Sequence, residues 1–162
     1  GRLGGKMCKF EDKETGIIIR IEEQALDILF ANRQTKNGFE SGGLLFSPLT
    51  SENIVYITHV STPSELDFRR QLFFKHDKST AQKTISHFFK KGLHYIGDWH
   101  SHSQNKPQPS PQDIQTMKDV FLKSKHSLNF MLHIIVGIDE DYNKFYVCLT
   151  NGTEIHQCIP IN

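Results

Sequence analysis

Cysteine is scarce in this chain, and the little there is forms no pattern. Cys8, Cys148 and Cys158 are the only three in 162 residues, odd in number and without C-x-x-C spacing. That points away from a disulfide framework and toward a reduced, cytoplasmic protein with ordinary buried thiols. An excess of one charge is missing as well. With 19 Lys and Arg against 18 Asp and Glu, there is no general electrostatic footprint for nucleic acid or an anionic membrane, so any partner must be recognised locally. Long apolar runs are absent too. Phe130-Met131-Leu132 and His133-Ile134-Ile135-Val136 are strand-sized, far below the roughly 20 residues a membrane-spanning helix needs. No signal-peptide pattern opens the sequence, and no repeat, linker or low-complexity segment interrupts it. At 37% hydrophobic content it is long enough for one buried core, so a single globular domain is expected.

What is there alternates between two periodicities. The β-branched run at residues 16–21 predicts a strand, and Ile21, Ala25, Ile28 and Leu29 then recur at helical spacing as far as Asn32. Asn37-Gly38 is a turn signal. Residues 39–46 predict a strand in which Gly42-Gly43 lets something approach the backbone closely. Residues 53–60 predict another strand and 61–76 a loop. Residues 78–91 return to helical spacing through Ala81, Ile85, Phe88 and Phe89, with Gly92 as the stop. A strand over 93–99 runs into His100-Ser101-His102, and a helix opens at Ser110-Pro111-Gln112-Asp113. Strands near 130–137, 144–150 and 154–159 close the chain. Early alternation and late clustering of strands predict an α/β domain with a mixed, curved sheet flanked by helices.

His100 and His102 sit at i and i+2 of an extended segment, which points both imidazoles to one side. Pro107, Pro109 and Pro111 then forbid a continuing sheet and hold a stiff path that can return Asp113 to them. Two histidines, a carboxylate and an open fourth position are a recurrent arrangement for catalytic zinc. Each piece also has a plain structural reading. A histidine pair can be a polar strand end, and Ser110-Pro111-x-Asp113 can be an N-cap serine, an N1 proline and an N3 acid. The cap and the metal site are compatible, because a first helical turn is a rigid mount for a hydroxyl and a carboxylate.

His100-x-His102, seven residues, then Ser110-x-x-Asp113 resembles the signature of the JAMM (MPN-plus, JAB-domain) zinc metallopeptidases. Glu40, in Glu40-Ser41-Gly42-Gly43-Leu44-Leu45, resembles their upstream catalytic glutamate. The resemblance runs over nearly the whole chain and implies a single JAB/MPN (cytidine-deaminase-like) domain over residues 7–162. It further implies a zinc ion (Zn2+) held by His100, His102 and Asp113, Glu40 as general base and Ser110 as oxyanion donor. One departure is Ser103, where many members carry proline. Phe73-Phe74-Lys75-His76-Asp77-Lys78 and Gly97-Asp98-Trp99-His100 resemble, more narrowly, the JAB proteins of bacterial CBASS antiphage operons. That implies a deubiquitinase-like isopeptidase that frees a cGAS-like nucleotidyltransferase (CD-NTase) from targets to which the operon's ubiquitin-transferase-like enzyme has joined its C-terminus. Alternatives are a JAB isopeptidase of another bacterial ubiquitin-like conjugation pathway, a non-catalytic MPN-like scaffold, and a metal-dependent phosphohydrolase.

The implied substrate is a glycine-rich or ubiquitin-like C-terminal tail conjugated to lysine. Gly1-Arg2-Leu3-Gly4-Gly5-Lys6 itself resembles such a tail, although a cloning scar before Met7 is the simpler reading for residues 1–6. The other seven histidines, His59, His76, His87, His94, His126, His133 and His156, lack ligand spacing and are expected to be polar contacts or surface groups. Arg69-Arg70 is expected to be solvated charge.

Overall fold

The computed structural model describes residues 6–34, 38–63, 68–69, 74–75 and 77–162. Residues 1–5 of the scar-or-tail segment 1–6, Asn37 of the expected turn, Arg70 of the expected solvated pair and His76 lie outside the described residues.

The chain folds as strands β1 (Cys8–Glu11) and β2 (Ile18–Ile21), helix α1 (Glu23–Ala31), and strands β3 (Gly42–Pro48), β4 (Ile54–Ile57) and β5 (His59–Val60). Two short strands follow, β6 (Phe68–Arg69) and β7 (Phe74–Lys75), then helix α2 (Lys78–Phe89) and strand β8 (Leu93–Ser101). Helix α3 (Pro111–Lys123) and strands β9 (Met131–Val136), β10 (Tyr146–Thr150) and β11 (Ile155–Ile161) complete it. Among the described residues, nine strands form one mixed sheet in the order β4-β2-β1-β11-β10-β9-β8-β3-β5. The outermost strands, β4 and β5, are separated in the chain by Thr58 alone, so the two edges of the sheet meet and the sheet curls almost shut. The expected mixed, curved sheet with helices is what forms.

The sequence reading missed two features. Cys8–Glu11 is too short to show a period, and becomes a strand because β2 and β11 pair with it from either side. Within the expected loop over 61–76, β6 and β7 pair antiparallel.

The concave side of the sheet wraps a core in which Phe10, Ile19, Ile21, Leu26, Leu29, Leu45, Trp99, Ile134 and Val147 are fully buried. Helix α1 turns Ala25, Leu26 and Leu29 into it, the i, i+1, i+4 stripe that a core-facing helix needs. Two glycines let the central strands come together. A Cβ on Gly97 would lie 1.8 Å from the Leu132 carbonyl oxygen of β9, and one on Gly43 would lie 2.0 Å from that of Ser61. The same Ser61 oxygen accepts from the Trp99 indole nitrogen at 2.9 Å. The close approach expected at Gly42-Gly43 is therefore made by the segment after β5.

All three cysteines are buried thiols outside any disulfide. Burial pushes the thiols of Cys148 and Cys158 up to about 12, which keeps them protonated and poor nucleophiles. Among the described residues, no helix is long and apolar enough to cross a membrane.

Candidate metal centre

The central strands bring the three distant motif segments toward one point. β3 and β8 pair antiparallel with Gly42 opposite His100. The ladder continues beyond β3, where Ser101 N donates to Ser41 O at 2.9 Å and Ser41 N donates to Ser101 Oγ at 2.8 Å. One residue further, that register sets Glu40 across from His102. Glu40 thus precedes its strand rather than lying within it, and it is only 2% exposed. Glu40 is therefore not a solvent-facing carboxylate.

The proline-bearing loop returns as expected. Gln104 anchors it: its carbonyl accepts from Ile138 N at 2.9 Å, and its side-chain Oε1 accepts from Gln108 N at 3.0 Å. Gly137 permits this contact, since a Cβ there would meet the Gln104 carbonyl oxygen at 2.4 Å and Pro107 Cδ at 2.8 Å. The loop delivers the chain to the N-terminus of α3, where Ser110 and Asp113 form a capping box. Asp113 N donates to Ser110 Oγ at 3.0 Å and Ser110 N donates to Asp113 Oδ2 at 2.9 Å, so the N-cap reading of this segment holds, and it leaves the other Asp113 contacts free to form. The cap uses a lone pair of the serine oxygen and leaves its O–H able to donate elsewhere.

Asp113 Oδ2 then faces both histidines. It lies 3.4 Å from His100 Nε2 and 3.1 Å from His102 Nε2, and the two Nε2 atoms are 3.1 Å apart. Zinc bonds of about 2.0–2.2 Å in a tetrahedron put neighbouring ligand atoms about 3.3–3.6 Å apart. The three observed separations are close to that edge length, so these residues fit the metal. Glu40, His100 and His102 also offer atoms within 4.8 Å of one another, but Glu40 Oε1 stands 4.0 Å from His100 Nε2. Asp113 Oδ2, at 3.4 Å, is nearer to the His100 ring than Glu40 is.

Burial and charge sort the protonation states. Burial holds His100 below the ordinary histidine range despite Asp113, which favours the neutral ring a metal needs. His102 is also disfavoured by burial, but the hydrogen bond and charge of Asp113 outweigh this and raise it. Burial pushes Asp113 up, but bonds from both histidines overcome this and hold it well below the usual carboxylate range. Glu40 goes the other way. Burial, opposed by His102 and reinforced by Asp113, raises it from 4.5 to about 8.

That last shift has a measurable sign. In metal-free protein the folded state keeps a proton on Glu40 that the unfolded chain releases near 4.5, so stability drains away as pH rises from about 4.5 to 8. The neutral substitution Glu40→Gln removes this dependence. Metal-free Glu40→Gln protein is expected to gain thermal stability over wild type as pH rises through that window and to match it near pH 4. A difference in Tm that does not change with pH would show that Glu40 ionises normally.

One neighbour was invisible in the sequence. His133 of β9 places Nε2 at 2.7 Å from His100 Nδ1, while Gln104 Oε1 lies 3.2 Å from His102 Nδ1. His133 is thus a polar contact, as expected of the unassigned histidines, but one made to a site residue. No spacing rule links positions 100 and 133; only the parallel pairing of β8 with β9, with His100 opposite Ile135 and Asp98 opposite His133, brings them together.

The chain is similar to several known proteins. The family described as prokaryotic homologs of the JAB domain matches residues 22–148. A protein of Escherichia coli (strain TW11681) named CD-NTase/cGAS isopeptidase is 31% identical over 80 residues, 48% of this chain and 51% of that protein. One of the same name from Enterobacter hormaechei is 25% identical over 101 residues, 62% of this chain and 56% of that protein. The chain therefore spans about half the length of the curated relatives it matches. A solution structure from Desulfitobacterium hafniense superposes with a TM-score of 0.61 at 16% identity, covering 85% of this chain and 87% of that one, and shares the fold.

Proposed function

Because this chain belongs to the prokaryotic JAB-domain family, we propose that it is a zinc-dependent isopeptidase that cleaves between the C-terminal tail of a conjugated protein and a lysine. The observation that carries this reading is the meeting of His100 Nε2, His102 Nε2 and Asp113 Oδ2 at 3.1–3.4 Å beside a buried Glu40. His100, His102 and Asp113 would hold the zinc. When bound, the metal supplies Lewis acidity that brings the pKa of a water toward neutrality and polarises a carbonyl.

The remaining work falls to the protein's own groups. Glu40 accepts the proton of the attacking water as the new C–O bond forms, then delivers it to the lysine amine as the C–N bond breaks. Ser110, held by its cap, donates its hydroxyl hydrogen to the carbonyl oxygen as charge develops there. No second cluster of metal-binding residues accompanies this one among the described residues, so a two-metal phosphohydrolase site finds no support here.

The names of the E. coli and Enterobacter relatives support a CD-NTase tail as the physiological substrate; its release from targets in the cytoplasm, within CBASS defence, is part of the same proposal. An extended glycine-rich tail suits a narrow groove, because it can pair along a strand edge without side chains to accommodate. Conjugates carrying a small residue before the scissile bond are expected to be cut much faster than those with a large apolar residue there. A CD-NTase tail should likewise outrun a ubiquitin tail. Equal rates across all of these in a competition assay would remove the tail specificity.

A further inference from the structure

Between His100 Nδ1 and His133 Nε2, 2.7 Å apart, there is room for one hydrogen, and its owner decides what His100 can do. If His133 donates it, neutral His100 carries its own hydrogen on Nε2, aimed at His102 and Asp113, and cannot bind a metal there. If His100 donates it, Nε2 presents a lone pair to the centre. The choice belongs to His133. With its hydrogen on Nδ1, that ring can only accept at Nε2, and His100 is fixed in the ligating form.

Asp98 supplies the reason for His133 to adopt that form. It stands opposite His133 in the pairing of β8 with β9, is buried at 7% exposure, and lines the same small cavity as His133 beneath α3. An ionised carboxylate only accepts hydrogen bonds. Tyr95 holds it from the other side, with its hydroxyl donating to Asp98 Oδ1 at 2.8 Å.

Resting on the zinc reading above, we propose that His133, backed by Asp98, is a positioning residue that locks His100 in the tautomer with a free Nε2 and thereby sets zinc affinity. Outer partners of metal-binding histidines typically contribute about 10–100-fold in affinity. The test is zinc affinity by competition with a chromogenic chelator. His133→Leu, similar in bulk but unable to accept, should bind zinc about 10–100-fold more weakly. His133→Gln, whose amide oxygen can take the position of Nε2, should retain most of the wild-type affinity. Ring-nitrogen NMR of wild-type protein reads the tautomer directly and does not depend on either variant folding. It should place hydrogens on Nδ1 of both His100 and His133 in the zinc-loaded state. Wild-type affinity in His133→Leu, or a hydrogen on His133 Nε2, overturns this inference alone. Wild-type protein that binds no zinc overturns the zinc reading and this inference with it.

Discussion

Glu40→Gln is expected to slow isopeptide cleavage by about 10²- to 10⁴-fold while leaving zinc content and the fold in place. The side chain is buried at 2% exposure, and the amide has the same shape, so packing is preserved. What disappears is the ability to take a proton. Glu40 Oε1 lies 4.0 Å from His100 Nε2, farther than the facing atoms of His100, His102 and Asp113 are from each other, so its loss should spare a metal held by those three. Such protein should also retain uncut conjugate in pull-down experiments. Cleavage at near the wild-type rate would reduce Glu40 to a buried structural carboxylate and leave the reaction without its base.

Loss of a ligand should act differently. Asp113→Ala and His102→Ala are each expected to lose zinc on dialysis, weakening binding by more than the about 10–100-fold associated with an outer partner. Activity should fall with it. The two variants separate the metal role from the structural one. Asp113 also accepts from Ser110 N in the capping box, so Asp113→Ala should lower thermal stability even in metal-free protein. His102→Ala should leave the start of α3 intact. Full zinc occupancy in both variants, measured by metal analysis, would overturn the ligand assignment.

Much of this site could be read from the sequence because its parts are short-range. His100 and His102 share a strand side by the two-residue period, and Ser110 and Asp113 share a helical turn by the capping pattern. Joining those parts needed only a loop whose prolines restrict its path. Glu40 was legible through resemblance alone, since nothing local marks a glutamate before a glycine pair. Its burial comes from the β3–β8 ladder, which spans about sixty residues of sequence. His133 and Asp98 were not legible at all. Their placement opposite one another depends on a parallel register between β8 and β9, and no periodicity within either strand encodes which residue of one faces which of the other. β1 was missed for a related reason: four residues paired from both sides need little intrinsic strand preference.

Zinc dependence of isopeptide cleavage by the wild-type protein is the most direct test. A CD-NTase-type tail joined to a lysine side chain would be presented to the protein as purified, after exhaustive chelation, and after return of one equivalent of zinc. Cleavage at the tail–lysine bond should vanish with the metal and return with it. Undiminished cleavage by the chelated protein, or turnover of a phosphodiester but of no tail by the zinc-loaded one, would contradict a zinc isopeptidase built on His100, His102 and Asp113.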